Sequence, residues 1–403
     1  MDDTRTGHIT TCLLAVIVLM MTACTADGLQ DEKKPVQEPV RTADYVNLRI
    51  VSSSSQLTRA TAQQENAVYD GILAVFEGSA ATSATLKTAV VIDQLINNPG
   101  SGSYIDVTQR LAPGTHPYSG SKRYALVLLN TTGTGFTVDG TVLKHHGVSL
   151  VGTDISYFQS LVIDAVGSPT EHEGFYMANT IKADGNILRN IESYHLYDTP
   201  EAAASGSRLT IQVERAAAKL QVELASPSPL LNLYVNSAAT TTAFNVHHFS
   251  WMPDRYKTSC YAIRNTSATA PVALTAYDAT AFTRYPEQGY GSGDEVYVAE
   301  NDETAADSQT RIVTSIQLKD PSNVLLSTFY IYDGDKTRIF TTPAKAETYI
   351  GAGFDAAKLT RYDNGHIYDA YDIQHEGENK LERNNLYHLT LRTLTELGNN
   401  IAP

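Results

Sequence analysis

The segment "RLTIQVERAAAKLQVEL", residues 208–224, has the clearest β-strand pattern in the chain. Apolar residues alternate with polar ones in both of its halves, at Leu209, Ile211, Val213, Leu220, Val222 and Leu224. Successive side chains of a strand point to opposite faces of a sheet, so a period of two gives one apolar face and one polar face. The segment therefore predicts strands that bury one face against a core.

The same kind of segment recurs along the rest of the chain. Further short alternating or apolar runs are residues 44–51, 68–78, 124–130, 160–166, 311–318, 324–335 and 386–394. Turn-forming Gly, Pro, Asn, Asp and Ser residues separate them, and many short strands with frequent turns are typical of β-sandwiches. We therefore predict an all-β protein. The best candidate for a helix is residues 84–98, and "ASPSP" at 225–229 is the predicted boundary between two β-domains.

Composition limits the class of protein. With 403 residues, 42% of them hydrophobic, the chain is long enough for two or three domains with apolar cores. A formal net charge of −14 argues against nucleic acid as a partner, because binding phosphates needs a basic surface. Only Cys260 lies beyond residue 24, so the folded body has no second cysteine with which to form an intrachain disulfide.

The N-terminus has the features of an export signal. Residues 13–21, "LLAVIVLMM", are apolar but too short for a comfortable membrane span, and small residues follow in "MTAC", residues 21–24. A cysteine after small residues resembles the lipobox of bacterial lipoproteins, which predicts a signal peptide over residues 1–23 and acylation of Cys24. The alternative is an ordinary signal peptide with an incidental cysteine. The polar, proline-containing residues 25–42 predict a flexible tether.

The sequence offers little sign of catalytic chemistry. Adjacent histidines occur at 145–146 and 247–248, but neighbours on a strand point to opposite faces, which favours surface or turn histidines over a metal site. Cys260 has no nearby catalytic signature, which favours a buried structural thiol over a nucleophile. We expect no enzyme activity, no metal and no cofactor. A secreted hydrolase would need an acid–base site that the sequence does not display.

Two motifs resemble a known family. "VERAAAKLQVEL", residues 213–224, and the R-N-x-x-Y segment within residues 365–398 resemble Bacteroidales-type fimbrillins. Together with the lipobox and Arg59, these motifs resemble in their order the minor-fimbrium type of fimbrillin. The resemblance implies two transthyretin-like Greek-key β-sandwich domains in tandem, over residues 60–225 and 226–403, preceded by a propeptide over residues 24–59.

The resemblance also implies a maturation route. A subunit of this type is exported as an outer-membrane lipoprotein, is cut by an extracellular arginine-specific protease, and joins other fimbrial subunits at the cell surface by strand addition. In this chain the cut is expected between Arg59 and Ala60. Two other arginines are less favoured as cleavage sites. Arg49 lies inside a predicted strand, and cleavage at Arg41 would leave that strand attached. The alternative is that Arg59 is an ordinary surface residue in a loop.

The strand released by such a cut is "DYVNLRIV", residues 44–51. Before cleavage it would act as a placeholder strand, with Val46, Leu48 and Ile50 buried in the protein's own sandwich. At about 1.5–3 kcal/mol each, three such side chains contribute about 5–9 kcal/mol before entropy costs. The serine run at residues 52–55 predicts a polar loop that a protease can enter.

Two questions of role stay open in the sequence. Fimbrillins of this type that form stalks often end in a further strand that they donate, whereas this chain ends in "LGNNIAP", residues 397–403. We therefore expect a tip or accessory subunit, unless residues 386–396 swing out as the donor. The alternative function is an uncut, surface-anchored lipoprotein that binds glycan or protein ligands. In either case host or bacterial surface molecules are candidate partners.

Overall fold

The computed structural model describes residues 45–52, 67–92, 95, 104–112, 121–163, 174–257, 259–265, 289, 291–301, 308–374 and 380–400. All of them lie within the unit that spans residues 42–403. Within these ranges, no helix is both long enough and apolar enough to cross a membrane.

Short strands make up most of the described chain, which confirms the predicted all-β class. The strands up to residue 215 are β1 (Tyr45–Ser52), β2 (Gly71–Gly78), β3 (Thr85–Val91), β4 (Tyr104–Arg110), β5 (Lys122–Leu129), β6 (Phe136–Asp139), β7 (Val142–His145), β8 (Val148–Ser149), β9 (Val162–Ile163), β10 (Met177–Asn179), β11 (Arg189–Ile191), β12 (Leu196–Tyr197) and β13 (Leu209–Arg215). The later strands are β14 (Ala217–Leu224), β15 (Leu230–Val235), β16 (Thr241–Asp254), β17 (Cys260–Tyr261), β18 (Glu295–Ala299), β19 (Arg311–Lys319), β20 (Phe329–Tyr332), β21 (Arg338–Ile339), β22 (Leu359–Tyr362), β23 (His366–Asp372) and β24 (Leu386–Leu391).

The described α-helices are short and lie in connections between strands. They are α1 (Ile155–Ser160), α2 (Pro200–Ser205) and α3 (Pro343–Ile350). Each begins after a residue whose side chain accepts a hydrogen bond from a backbone N–H of the first turn, namely Asp154, Thr199 and Thr342. Such a cap satisfies one of the free N–H groups at a helix start, and it explains why these short helices form where they do.

The largest sheet has the strand order β12–β1–β13–β10–β5–β2–β3, with β4 beside β1 and β11 beside β5. Its central strand β5 is buried on both faces. Leu126 and Leu128 pack into one apolar cluster, and Val127 and Leu129 pack into another on the opposite face. A strand that is covered on both sides has no polar face, which explains why residues 124–129 form a continuous apolar run.

Two further sheets share a third apolar cluster. The five-stranded sheet β21–β15–β16–β19–β23 and the three-stranded sheet β18–β14–β24 both contribute side chains to the cluster around Trp251. Two sheets with a shared apolar interior are arranged as in a β-sandwich. The Greek-key topology and the domain boundary after residue 225 stay predictions.

The segment with the clearest strand pattern crosses from one sheet to another. β13 pairs with β1 and β10 in the largest sheet, whereas β14 pairs with β18 and β24. Between them lies Ala216, which is fully buried and whose N–H donates a hydrogen bond to Tyr176 O. Residues 213–224 therefore belong to two strands in different sheets, joined at the buried Ala216.

The helix expected over residues 84–98 is wrong, because its first half is β3. In the pairing of β3 with β2, Thr88 lies opposite Val75 and Leu86 opposite Phe76, so Lys87 is an extra residue in the ladder. This bulge shifts the alternation and places buried Leu86 and buried Ala89 three residues apart. A spacing of three is also the helical one, which is why the pattern was ambiguous.

Candidate functional site

The strand β1 lies between β4 on one side and β13 with the short β12 on the other, and all three are distant from it in sequence. On one side it pairs parallel with β13, with Leu48 opposite Leu209. On the other side it pairs antiparallel with β4 along most of its length, with Leu48 opposite Val107. Among the described strands, β4 pairs with β1 alone. β1 therefore links β4 to the rest of the sheet.

The inner face of β1 is fully packed. Val46 and Leu48 are 0% exposed and Ile50 is 2% exposed. Their cluster includes β13 and β4 side chains, among them Ile211 and Val107. The strand thus has the burial that its period of two predicts, and by area these three residues contribute about 5–9 kcal/mol before entropy costs.

The outer face of β1 is held by an ion pair. Arg49 Nε donates to one oxygen of Asp106 at 2.7 Å and Arg49 Nη2 donates to the other at 2.8 Å, while Arg208 Nε lies 3.4 Å from the same carboxylate. The Arg49 guanidinium also lies 4.3 Å from the centre of the Tyr104 ring. The hydrogen bond from Arg49 lowers the pKa of Asp106, and the charge of Arg208 adds to the effect.

Asn47 lies two residues before Arg49 and is only 2% exposed. Its side-chain Nδ2 donates to Gly206 O at 3.2 Å, at the end of α2. A buried amide without a partner would destabilise the fold, and this hydrogen bond removes that cost. The short helix therefore covers the start of the outer face of β1 and leaves Arg49 half-exposed.

Three residues predicted for maturation cannot be placed, because Cys24, Arg59 and Ala60 lie outside the described residues. Acylation and cleavage at these positions stay predictions. Arg49, a less favoured cleavage position, lies within the eight residues of β1 and is paired with Asp106.

The paired histidines lie in different surroundings in the described chain. His145 is buried with its Nε2 3.1 Å from Thr134 O, and His146 is exposed in the following turn. His247 and His248 are both exposed on β16. Among the described residues, no group of three or more His, Cys, Asp or Glu is placed to hold a metal ion.

The arginine of the R-N-x-x-Y motif joins distant parts of the chain. Arg383 is 1% exposed, forms an ion pair with Glu300, and donates from Nη2 to Tyr261 O at 2.8 Å. The next residue, Asn384, accepts hydrogen bonds from Arg215 through its side-chain oxygen. The motif therefore connects residues 380–384 to β13, β17 and the end of β18. The sequence indicated Arg383 as a residue of interest, because it is a charged residue within a short motif, but it did not show which residues Arg383 contacts.

Cys260 lies beside this ion pair and is 0% exposed. Burial raises the pKa of its thiol to about 12, so the sulfur is protonated at neutral pH. A protonated buried thiol is a poor nucleophile, in keeping with the structural role expected for it.

No family model matches the chain, and no curated protein matches it. Among solved structures, the chain is similar to the tip fimbrial protein Mfa3 from Porphyromonas gingivalis with a C-terminal truncation, at 12% identity and a TM-score of 0.39. That alignment covers 88% of this chain and 97% of the other. It is also similar to a fimbrial assembly protein from Parabacteroides distasonis, at 12% identity and a TM-score of 0.42, over 88% of this chain and 93% of the other. Both of those proteins are described as fimbrial.

Proposed function

We propose that the chain is a structural and adhesive subunit of a cell-surface fimbria that assembles by strand exchange. The observation that supports this most is β1, an eight-residue strand inserted between β13 and β4 with three buried apolar side chains. Such a strand fills a groove that a similar strand from another subunit could fill instead.

Maturation would begin with export as a lipoprotein. The acyl chain on Cys24 would hold the precursor in the outer membrane, and residues 25–42 would separate the anchor from the folded body. An extracellular arginine-specific protease would then cut between Arg59 and Ala60. Because the cut lies between β1 and β2 in sequence, it would leave β1 held by non-covalent contacts alone.

Loss of β1 would open two sheet edges at once. β13 and β4 would each expose unpaired backbone N–H and C=O groups, and the apolar floor between them would include Val107, Leu209 and Ile211. An exposed edge above an apolar groove is the arrangement to which an extended strand adds. The groove of one subunit would bind a strand from a different part of the neighbouring subunit. Because the two contacting surfaces differ, each added subunit brings a new groove, and repeated addition builds an open filament.

The fimbrial partners are other subunits, and host or bacterial surface molecules are the candidate ligands of the assembled fibre. A tip or accessory position, rather than one in the stalk, stays a prediction.

Limited digestion of the purified precursor with an arginine-specific protease tests the proposal, followed by N-terminal sequencing and native mass spectrometry. We expect one cut before Ala60, loss of the N-terminal fragment and uptake of a strand peptide. Arg59→Lys is the matched control, because it keeps the positive charge but removes the protease's preferred residue. An uncut chain, or a cut chain that stays monomeric and takes up no strand, would support the uncut surface lipoprotein instead.

A further inference from the structure

The outer face of β1 places one basic residue opposite one acidic residue in the middle of the strand. Arg49 and Asp106 are direct cross-strand partners in the antiparallel ladder between β1 and β4. Both side chains are 32% exposed, and the guanidinium contacts both carboxylate oxygens. A bidentate pair of this kind fixes geometry as well as charge. If β1 left, Val107 would still hold β4 in the apolar cluster shared with β13, and Asp106 would face the vacated position.

We infer that the groove vacated by β1 selects its incoming strand by charge, favouring a basic residue at the position of Arg49 and disfavouring an acidic one. This inference rests on the strand exchange proposed above. The partner is a strand of a second polypeptide that runs parallel to β13 and antiparallel to β4. It has apolar residues at the positions of Val46, Leu48 and Ile50 and Arg or Lys between the last two.

The other edge of the groove adds no charge at this point. On β13, the residues opposite Arg49 and Val51 are Thr210 and Gln212, which are neutral. Asp106 therefore supplies the charge that directly faces the centre of the incoming strand. Two residues before Arg49 along β1, the position of Asn47 is buried beside Gly206 O. An incoming strand should therefore have at this position a small side chain, or an amide side chain that donates a hydrogen bond to Gly206 O.

Arg208 limits the size of the effect. Its Nε lies 3.4 Å from Asp106 and would remain beside it after β1 leaves, so it neutralises part of the carboxylate's charge. Half-exposed cross-strand pairs contribute about 0.2–1 kcal/mol, which corresponds to at most about a fivefold change in affinity for each step of charge. We expect severalfold discrimination and not complete exclusion.

Three peptides test the inference on the full-length precursor after arginine-specific cleavage and inactivation of the protease. The reference peptide is YVNLRIVS, residues 45–52, and the other two have Ala or Glu at the position of Arg49. Competition against a fluorescent reference peptide gives relative affinities. We expect the affinity to fall from the Arg peptide to the Ala peptide to the Glu peptide, by about threefold to fivefold at each step.

Protein variants separate charge selection from general loss of fit. With Asp106→Lys the order of the three peptides should reverse, and with Asp106→Asn the affinities should fall within about twofold of one another. Arg208→Gln is the matched control, because it removes the competing cation and should widen the preference for the basic peptide. Asp106→Asn keeps the size of the side chain, so it serves if Asp106→Lys does not fold.

Each contrary result has its own meaning. Equal binding of all three peptides to the wild-type protein would overturn charge selection while leaving strand exchange intact. No binding of the reference peptide to cut protein would overturn strand exchange and this inference with it. A peptide order that persists in Asp106→Lys would show that Asp106 is not the selecting residue.

Discussion

Replacing Leu48 with alanine should weaken the hold on β1 more than any change on its outer face. Leu48 is 0% exposed at the centre of the strand, packed in the cluster with residues of β13 and β4. Truncating a buried leucine to alanine costs about 2–5 kcal/mol through lost burial and the cavity left behind. A value of 3 kcal/mol corresponds to a change of about a hundredfold in an equilibrium constant.

Two assays measure this effect. In the uncut precursor, guanidinium unfolding should show a free energy of unfolding lower by about 2–5 kcal/mol. In the cut protein, native mass spectrometry over time should show faster loss of the N-terminal fragment. Val51→Ala is the matched control, because Val51 lies on the same strand but on the half-buried outer face. Equal effects of the two substitutions would refute the account of which face holds the strand.

Three other properties follow from buried or partly buried polar groups of the described chain. Arg383→Met should lower the free energy of unfolding by about 3–5 kcal/mol, because it leaves Glu300 buried and unpaired, and thermal or guanidinium unfolding measures this. Adding Glu300→Leu to that variant should recover part of the loss. Burial raises the pKa of Asp369 to about 6, so the folded state binds a proton more tightly than the unfolded state. Its contribution should therefore make the protein more stable near pH 4 and be lost as the pH rises through about 6. In Asp369→Asn, the free energy of unfolding measured by denaturant titration should depend less on pH across this window. Cys260 should react with a thiol reagent at pH 8 only after denaturant unfolds the protein, and reaction of the native protein at the unfolded rate would contradict its burial.

The apolar face of β1 could be predicted because it depends on local spacing. Val46, Leu48 and Ile50 occupy every second position of the strand. This spacing determines which side chains share a face, independently of which strand lies next to β1. The same argument also predicted β2, β5, β13, β14, β19 and β24. It failed at β3, where the extra residue Lys87 changed the spacing and imitated a helix.

The charged partners of β1 could not be predicted in the same way. Asp106 is 57 residues from Arg49, and Arg208 is farther still. Which of the chain's acidic residues faces Arg49 depends on strand order and register, and a shift of one residue would turn Asp106 to the other face. The same limit applies to the partners of Arg383, which come from β17 and from the end of β18.

The central claim is that β1 can be removed and replaced while the rest of the fold remains. The most direct test is native mass spectrometry of cut precursor incubated with an isotopically heavy peptide of residues 45–52. The account predicts that the mass falls by that of the N-terminal fragment and rises by that of the heavy peptide, in a ratio of one peptide per chain. A fragment that stays bound against excess peptide, or a chain that unfolds once the fragment leaves, would contradict it.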